Sequence, residues 1–119
     1  MEKNYVGLSK KGKSFWGPLI WGSIHTMAIS YVPSPPNGPP YTRYAFENYI
    51  KSIAFLLPCP ECRVHFVDNL EKNPLTEESF AGPVALFTWT WKLHNIVNES
   101  LGKKKLPFAD AYDYWSQRM

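Results

Sequence analysis

The chain has 119 residues, 13 of them Lys or Arg and 10 Asp or Glu, for a formal charge of +3. That length is one domain as a prior, able to bury a core without staples, and so small a surplus makes no nucleic-acid footprint. Apolar residues at 45% and charged ones at 19% exclude overall disorder, and no apolar run approaches the roughly 20 residues of a membrane span.

Residues 1–13 are polar and basic and read as an N-terminal arm without the apolar stretch of a secretory signal. From Ser14 to Tyr31, Trp16, Ile20, Ile24, Met27 and Tyr31 recur at spacings of three and four, which predicts an amphipathic helix. Residues 32–40, VPSPPNGPP, hold five of the eleven prolines and read as a stiff extended connection. A second helix spans Tyr41 to Leu57, with Phe46, Tyr49, Ile50, Ile53, Leu56 and Leu57 on its apolar face. Pro58 stops it, because its ring disfavours helical geometry at Leu57. Pro60 suits the first turn of a third helix running to about Glu71, and Asn73 and Pro74 mark a polar loop.

Gly82 and Pro83 open a fourth helix, which Gly102 stops; its stripe is Leu86, Trp89, Leu93, Ile96 and Val97. Lys103, Lys104 and Lys105 follow, where cations suit the carbonyl end of a helix dipole. Residues 108–117 form a last short helix. No segment alternates with period two, so the fold class is all-α: a small four-helix bundle with an additional short C-terminal helix. The expected organisation is the arm, 1–13, and one domain, 14–119.

Only two cysteines occur, in Cys59-Pro60-Glu61-Cys62. At a helix start, amide dipoles lower a thiol pKa from about 8.5 and favour the thiolate, the species that attacks disulfides. The spacing also fits a structural disulfide, or half of a zinc site completed by His65 and either His94 or His25. A thioredoxin fold is excluded because no βαβ pattern surrounds the motif. Trp91, His94, Asn95 and Asn98 share one face of the fourth helix. Asparagine is a poor residue for a helix interior, and buried amides need partners. Paired amides and an imidazole beside tryptophans suit an aromatic heterocycle. An interhelical polar network fits the same spacing. Aromatic residues make up 16% of the chain, enough either to fill the core with rings or to line a pocket for a flat ligand.

The sequence resembles the ERV/ALR flavin-linked sulfhydryl oxidases, and most of all their branch from large cytoplasmic DNA viruses. The matching stretches are W-G-P-L-I-W-G-S-I-H at 16–25, L-P-C-P-E-C-R-V-H-F at 57–66, W-T-W-K-L-H-N-I-V-N at 89–98 and L-G-K at 101–103, with Trp115 in place of a C-terminal aromatic. The resemblance implies a helical bundle holding FAD at one end beside a catalytic Cys59–Cys62 disulfide. It implies FAD contacts from Gly17, Trp21, His25 and Tyr31 of the first helix, and from His65 after the cysteines. On the fourth helix it implies His94, Asn95, Val97 and Asn98, with Trp89 walling the site. Lys103 would lie near the phosphates and Trp115 would stack on the adenine.

The activity so implied is oxidation of protein dithiols through Cys59 and Cys62 to FAD and then to oxygen, giving hydrogen peroxide. In many relatives, cysteines that pair with each other stand where this chain has Trp91 and Phe108, so apolar packing is expected to hold the last segment. Expected partners are a small thiol relay protein with its own C-x-x-C, cysteine-bearing viral proteins and a second copy of the chain. Neither nucleic acid nor membrane insertion is expected. The expected location is the host cytoplasm, at sites of viral assembly.

Overall fold

The computed structural model describes residues 12–35 and 40–119. They form α1 (Lys13–Ile29), α2 (Tyr41–Leu56), α3 (Pro60–Lys72), α4 (Pro83–Ser100) and α5 (Phe108–Ser116), with one 3-10 turn at Glu77–Phe80. No strand occurs among the described residues. The helices match the predicted set, except that Tyr31 lies beyond the end of α1 and the 3-10 turn interrupts the expected loop. Residues 1–11 of the basic arm, and 36–39 of the proline-rich connection, fall outside the described residues.

Local chemistry sets the boundaries that matter for function. Leu57 takes extended angles (φ −55°, ψ 136°) ahead of Pro58, so α2 stops one residue before it. Cys59 is the N-cap of α3, its sulfur accepting the Cys62 N–H at 3.2 Å, and Pro60 occupies the first turn. The Arg63 Nε donates to the Leu57 carbonyl at 2.6 Å and ties the start of α3 to the end of α2.

At the far end of α4, Gly102 adopts φ 71°, a left-handed conformation that a side chain would strain. Its N–H donates to the Glu99 carbonyl (3.1 Å), and the Lys103 N–H donates to that of Asn98 (2.7 Å). These paired bonds make a Schellman cap. The L-G-K stretch therefore ends α4 and fixes where Lys103 emerges.

The core is built around α4, which packs against α1, α3, α5 and the 3-10 turn. Leu86 and Leu93 of α4 are fully buried against Ile24 and Ala28 of α1, Phe46, Ile50 and Ile53 of α2 and Phe66 of α3. Each large aliphatic side chain buried there contributes about 1.5–3 kcal/mol. Ser23 Oγ and Tyr49 Oη hydrogen-bond across α1 and α2.

The connection from α4 to α5 is anchored by side chains. Asn95 Oδ1 accepts the Leu106 N–H and Asn95 Nδ2 donates to the Leu106 carbonyl, both at 2.9 Å, while Trp91 Nε1 donates to the same carbonyl at 2.8 Å. So held, α5 lies against both α1 and α4.

Candidate active site

Cys59 and Cys62 form a disulfide across the first turn of α3, with 5.1 Å between their Cα atoms. Both are partly exposed. Cys62 borders a cavity of about 600 Å³, and Cys59 does not. When the pair is reduced, the Cys62 N–H and the helix dipole favour a thiolate at Cys59.

The cavity lies between α1, α3, α4 and α5, and its volume is that of an ordinary small-molecule site. Ten of the twelve expected cofactor residues border it: Gly17, Trp21, His25, His65, His94, Asn95, Val97, Asn98, Lys103 and Trp115. Tyr31 and Trp89 do not. Tyr31 packs on Phe80 in a separate recess. Trp89 is a core residue: its Nε1 donates to the Asn73 carbonyl at 2.9 Å, and its ring meets Phe46 edge-on. Helix geometry explains the difference, since five residues at about 100° each turn Trp89 roughly 140° from His94. Three residues turn Trp91 only about 60° from it, and Trp91 borders the cavity. Asn95 is there too, with its carboxamide committed to Leu106.

Trp16, Ile20, Phe66, Asn69 and Tyr114 also line the space and were not among the expected contacts. A signal for Asn69 was present: Cys62, Phe66 and Asn69 follow one helical face at spacings of four and three. Asn69 and Asn98 are buried residues at the cavity, and their side-chain amides hydrogen-bond to no other described residue but stay open to the cavity space. Thr90 is fully buried and bonds directly to His25, and nothing in its local sequence marked it.

Three rings organise the interior. Trp21 and His94 stack face to face, centroids 4.0 Å apart at 4°. His25 Nε2 meets His94 Nδ1 at 2.9 Å, and His25 Nδ1 meets the Thr90 hydroxyl at 2.9 Å. Burial, followed by the neighbouring His94, pushes the His25 pKa down to about 3. Burial and the cation of Lys103 push that of His94 down to about 4. Both imidazoles are therefore neutral near pH 7.

A zinc site fits this geometry poorly. The two sulfurs are bonded to each other, the two candidate histidines bind one another, and no three metal-ligating side chains come together among the described residues. The group implied by the resemblance, FAD, fits better. It is flat and aromatic with polar edges, and the walls offer stacked rings and two amides without protein partners. A Cβ at Gly17 would meet no atom within 4 Å, so this edge of the cavity is open space. Lys13 and Lys103 border the cavity as exposed cations suited to a pyrophosphate.

Comparison with known proteins agrees. The model of the Erv1 / Alr family matches residues 18–117. A probable FAD-linked sulfhydryl oxidase of Acanthamoeba polyphaga mimivirus is 36% identical over 98 residues, covering 82% of this chain and 66% of that relative. A putative FAD-linked sulfhydryl oxidase of Invertebrate iridescent virus 6 is 34% identical over 104 residues, covering 84% and 91%. The FAD-linked sulfhydryl oxidase of African swine fever virus is 34% identical over 106 residues, covering 86% and 81%, and is a relative rather than the same protein. The crystal structure of the yeast Erv1 core superposes with a TM-score of 0.65 at 22% identity, covering 86% of this chain and 78% of that one, and so shares the fold.

Proposed function

The chain belongs to the Erv1 / Alr family, and we propose that it is an FAD-linked thiol oxidase that forms disulfide bonds in protein substrates. The observation that carries this reading is the divided placement of one disulfide, with Cys62 lining an aromatic-walled cavity and Cys59 outside its lining.

A substrate thiolate attacks Cys59 Sγ. The Cys59–Cys62 bond breaks, a mixed disulfide forms, and Cys62 leaves as a thiolate facing the cavity. A second substrate thiolate then attacks the substrate sulfur of the mixed disulfide. The substrate departs as a disulfide, two electrons poorer, and Cys59 is released as a thiolate that the Cys62 N–H stabilises. The two thiol protons pass to solvent. The chemistry FAD would supply when bound is two-electron acceptance from the reduced pair, with oxygen as final acceptor giving hydrogen peroxide. Trp21 and His94 would give it a stacked wall, Asn69 and Asn98 would offer amides to its polar edges, Trp115 would cover it from α5, and Lys13 and Lys103 would hold the phosphates.

Its immediate substrate is a small thiol protein with its own C-x-x-C, which serves cysteine-bearing viral proteins; this sequence contains no second cysteine pair to act as a relay. A second copy of the chain covers exposed apolar side chains, among them Leu19 and Met27 of α1 and Tyr41 and Phe55 of α2. The viral relatives support a host-cytoplasmic site of action. No described helix is long and apolar enough to cross a membrane.

The absorbance spectrum of the purified protein tests the reading. Flavin bands bleached by dithiol without oxygen are expected, whereas colourless protein carrying stoichiometric zinc would refute it.

A further inference from the structure

The hydroxyl of Thr90, fully buried on α4, lies 2.7 Å from the Phe87 carbonyl oxygen and 2.9 Å from His25 Nδ1. A carbonyl only accepts, so two oxygens 2.7 Å apart require the single hydroxyl proton between them. With that proton spent on Phe87, Thr90 faces His25 as an acceptor, and His25 must donate from Nδ1–H. A neutral imidazole carries one N–H, so His25 Nε2 is bare and accepts, over 2.9 Å, from His94 Nδ1–H. His94 has then used its own proton. Its Nε2 is left as a lone pair, without a partner among the described residues, on a ring that borders the cavity.

We propose that Thr90 is a positioning residue that fixes the tautomer of His25 and, through it, of His94, so that the cavity presents a hydrogen-bond acceptor at His94 Nε2 and selects a ligand with an N–H or O–H donor there. The assignment rests on the FAD-binding reading only for its ligand. FAD carries such donors on its adenine amine, its ring imide and its sugar hydroxyls. A ligand with an acceptor at that point would bring two lone pairs together. Every proton in the chain is placed by the member before it, so the rule is set at Thr90, three hydrogen bonds away from the ligand.

Thr90→Val removes the acceptor while nearly keeping the shape. His25 is then free to carry its proton on Nε2 and donate to His94 Nδ1, which moves the His94 proton to Nε2 and reverses the polarity shown to the cavity. Thr90→Ser keeps the hydroxyl and is the rescue variant. Nitrogen NMR of the histidine-labelled full chain should show protons on Nδ1 of both rings in the wild type and in Thr90→Ser, and on Nε2 of both in Thr90→Val. FAD affinity, followed by flavin fluorescence, should fall roughly tenfold in Thr90→Val, the scale of one mismatched hydrogen bond, and recover in Thr90→Ser. Unchanged tautomers in Thr90→Val, or equal losses of affinity in both variants, would overturn the assignment. A wild type with the stated tautomers that binds no FAD would overturn the cofactor reading and leave the role of Thr90 standing.

Discussion

Trp91 and Phe108 meet edge to face, ring centroids 5.4 Å apart and planes at 88°, at the two positions where the resemblance places a paired set of cysteines. A covalent link between α4 and the start of α5 is thus replaced by a ring contact, and the same indole also donates to the Leu106 carbonyl. Aromatic pairs of this geometry contribute about 0.5–1.5 kcal/mol beyond the area they bury. Trp91→Ala should therefore cost about 3 kcal/mol of unfolding free energy. Trp91→Phe, which loses the N–H but keeps a ring, should cost about 1 kcal/mol. Urea denaturation checks both values, and equal losses in the two variants would mean that the ring contact contributes nothing.

Cys59→Ser and Cys62→Ser should each abolish thiol oxidation while the protein keeps its flavin, because Cys62 is a small part of the cavity wall and Cys59 is no part of it. Cys62→Ala leaves Cys59 as a lone thiolate, which should attack the disulfide of an already oxidised substrate and hold it as a mixed disulfide, one substrate sulfur leaving as a thiolate. Non-reducing gels from cells expressing that variant should show one dominant small partner. A smear of unrelated proteins would mean that clients are oxidised directly, without a relay.

Asn69 and Asn98 carry amides that the protein leaves unbonded and open to the cavity. If FAD satisfies them, Asn69→Leu and Asn98→Leu should each weaken flavin binding by about tenfold. In the flavin-free protein they should leave stability nearly level, since no hydrogen bond within the protein is lost. Calorimetry with and without flavin separates the two effects. Lower stability of the flavin-free variants would point to a structural role for the amides.

The lowered pKa values of His25 and His94 make stability dependent on pH with a definite sign. The folded chain keeps His25 neutral to about pH 3 and His94 to about pH 4, whereas the unfolded chain takes up protons below about 6.5. The stabilisation is thus fully present above pH 6.5 and is lost as pH falls toward 4. Each group withdraws up to about 1.4 kcal/mol per pH unit over that window. Urea midpoints measured between pH 7.5 and 4.5 should decline accordingly, and His25→Asn should flatten the decline. A midpoint level down to pH 5 would contradict the buried, neutral pair.

Helical period and proline positions made most of this fold legible. Tyr41–Leu56 and Pro60–Lys72 end within a residue of their predicted limits, because Pro58 and Pro60 act through local sterics that any reader of the chain can apply. The unusual polar face of His94, Asn95 and Asn98 was visible for the same reason. Its division of labour was not. Asn95 bonds to the backbone of Leu106, in a segment with no period to announce it. Thr90 finds His25 65 positions away, and residues brought together by packing leave no trace in spacing. Trp89 shows the opposite failure: its motif match placed it at the site, while its angle around α4 turns it into the core.

Trp115 of α5 stands 5.5 Å from His25 of α1, so the cavity draws its walls from segments far apart in the order of synthesis. Without α5, His25, His94 and their neighbouring rings lie open to water on the side that Trp115 covers. Cofactor capture therefore waits on the docking of α5, and a chain cut short before α5 would form helices yet release its flavin. Retained colour reports that translation has passed Trp115 and that α5 has docked, which makes the flavin a marker of chains competent to handle thiols.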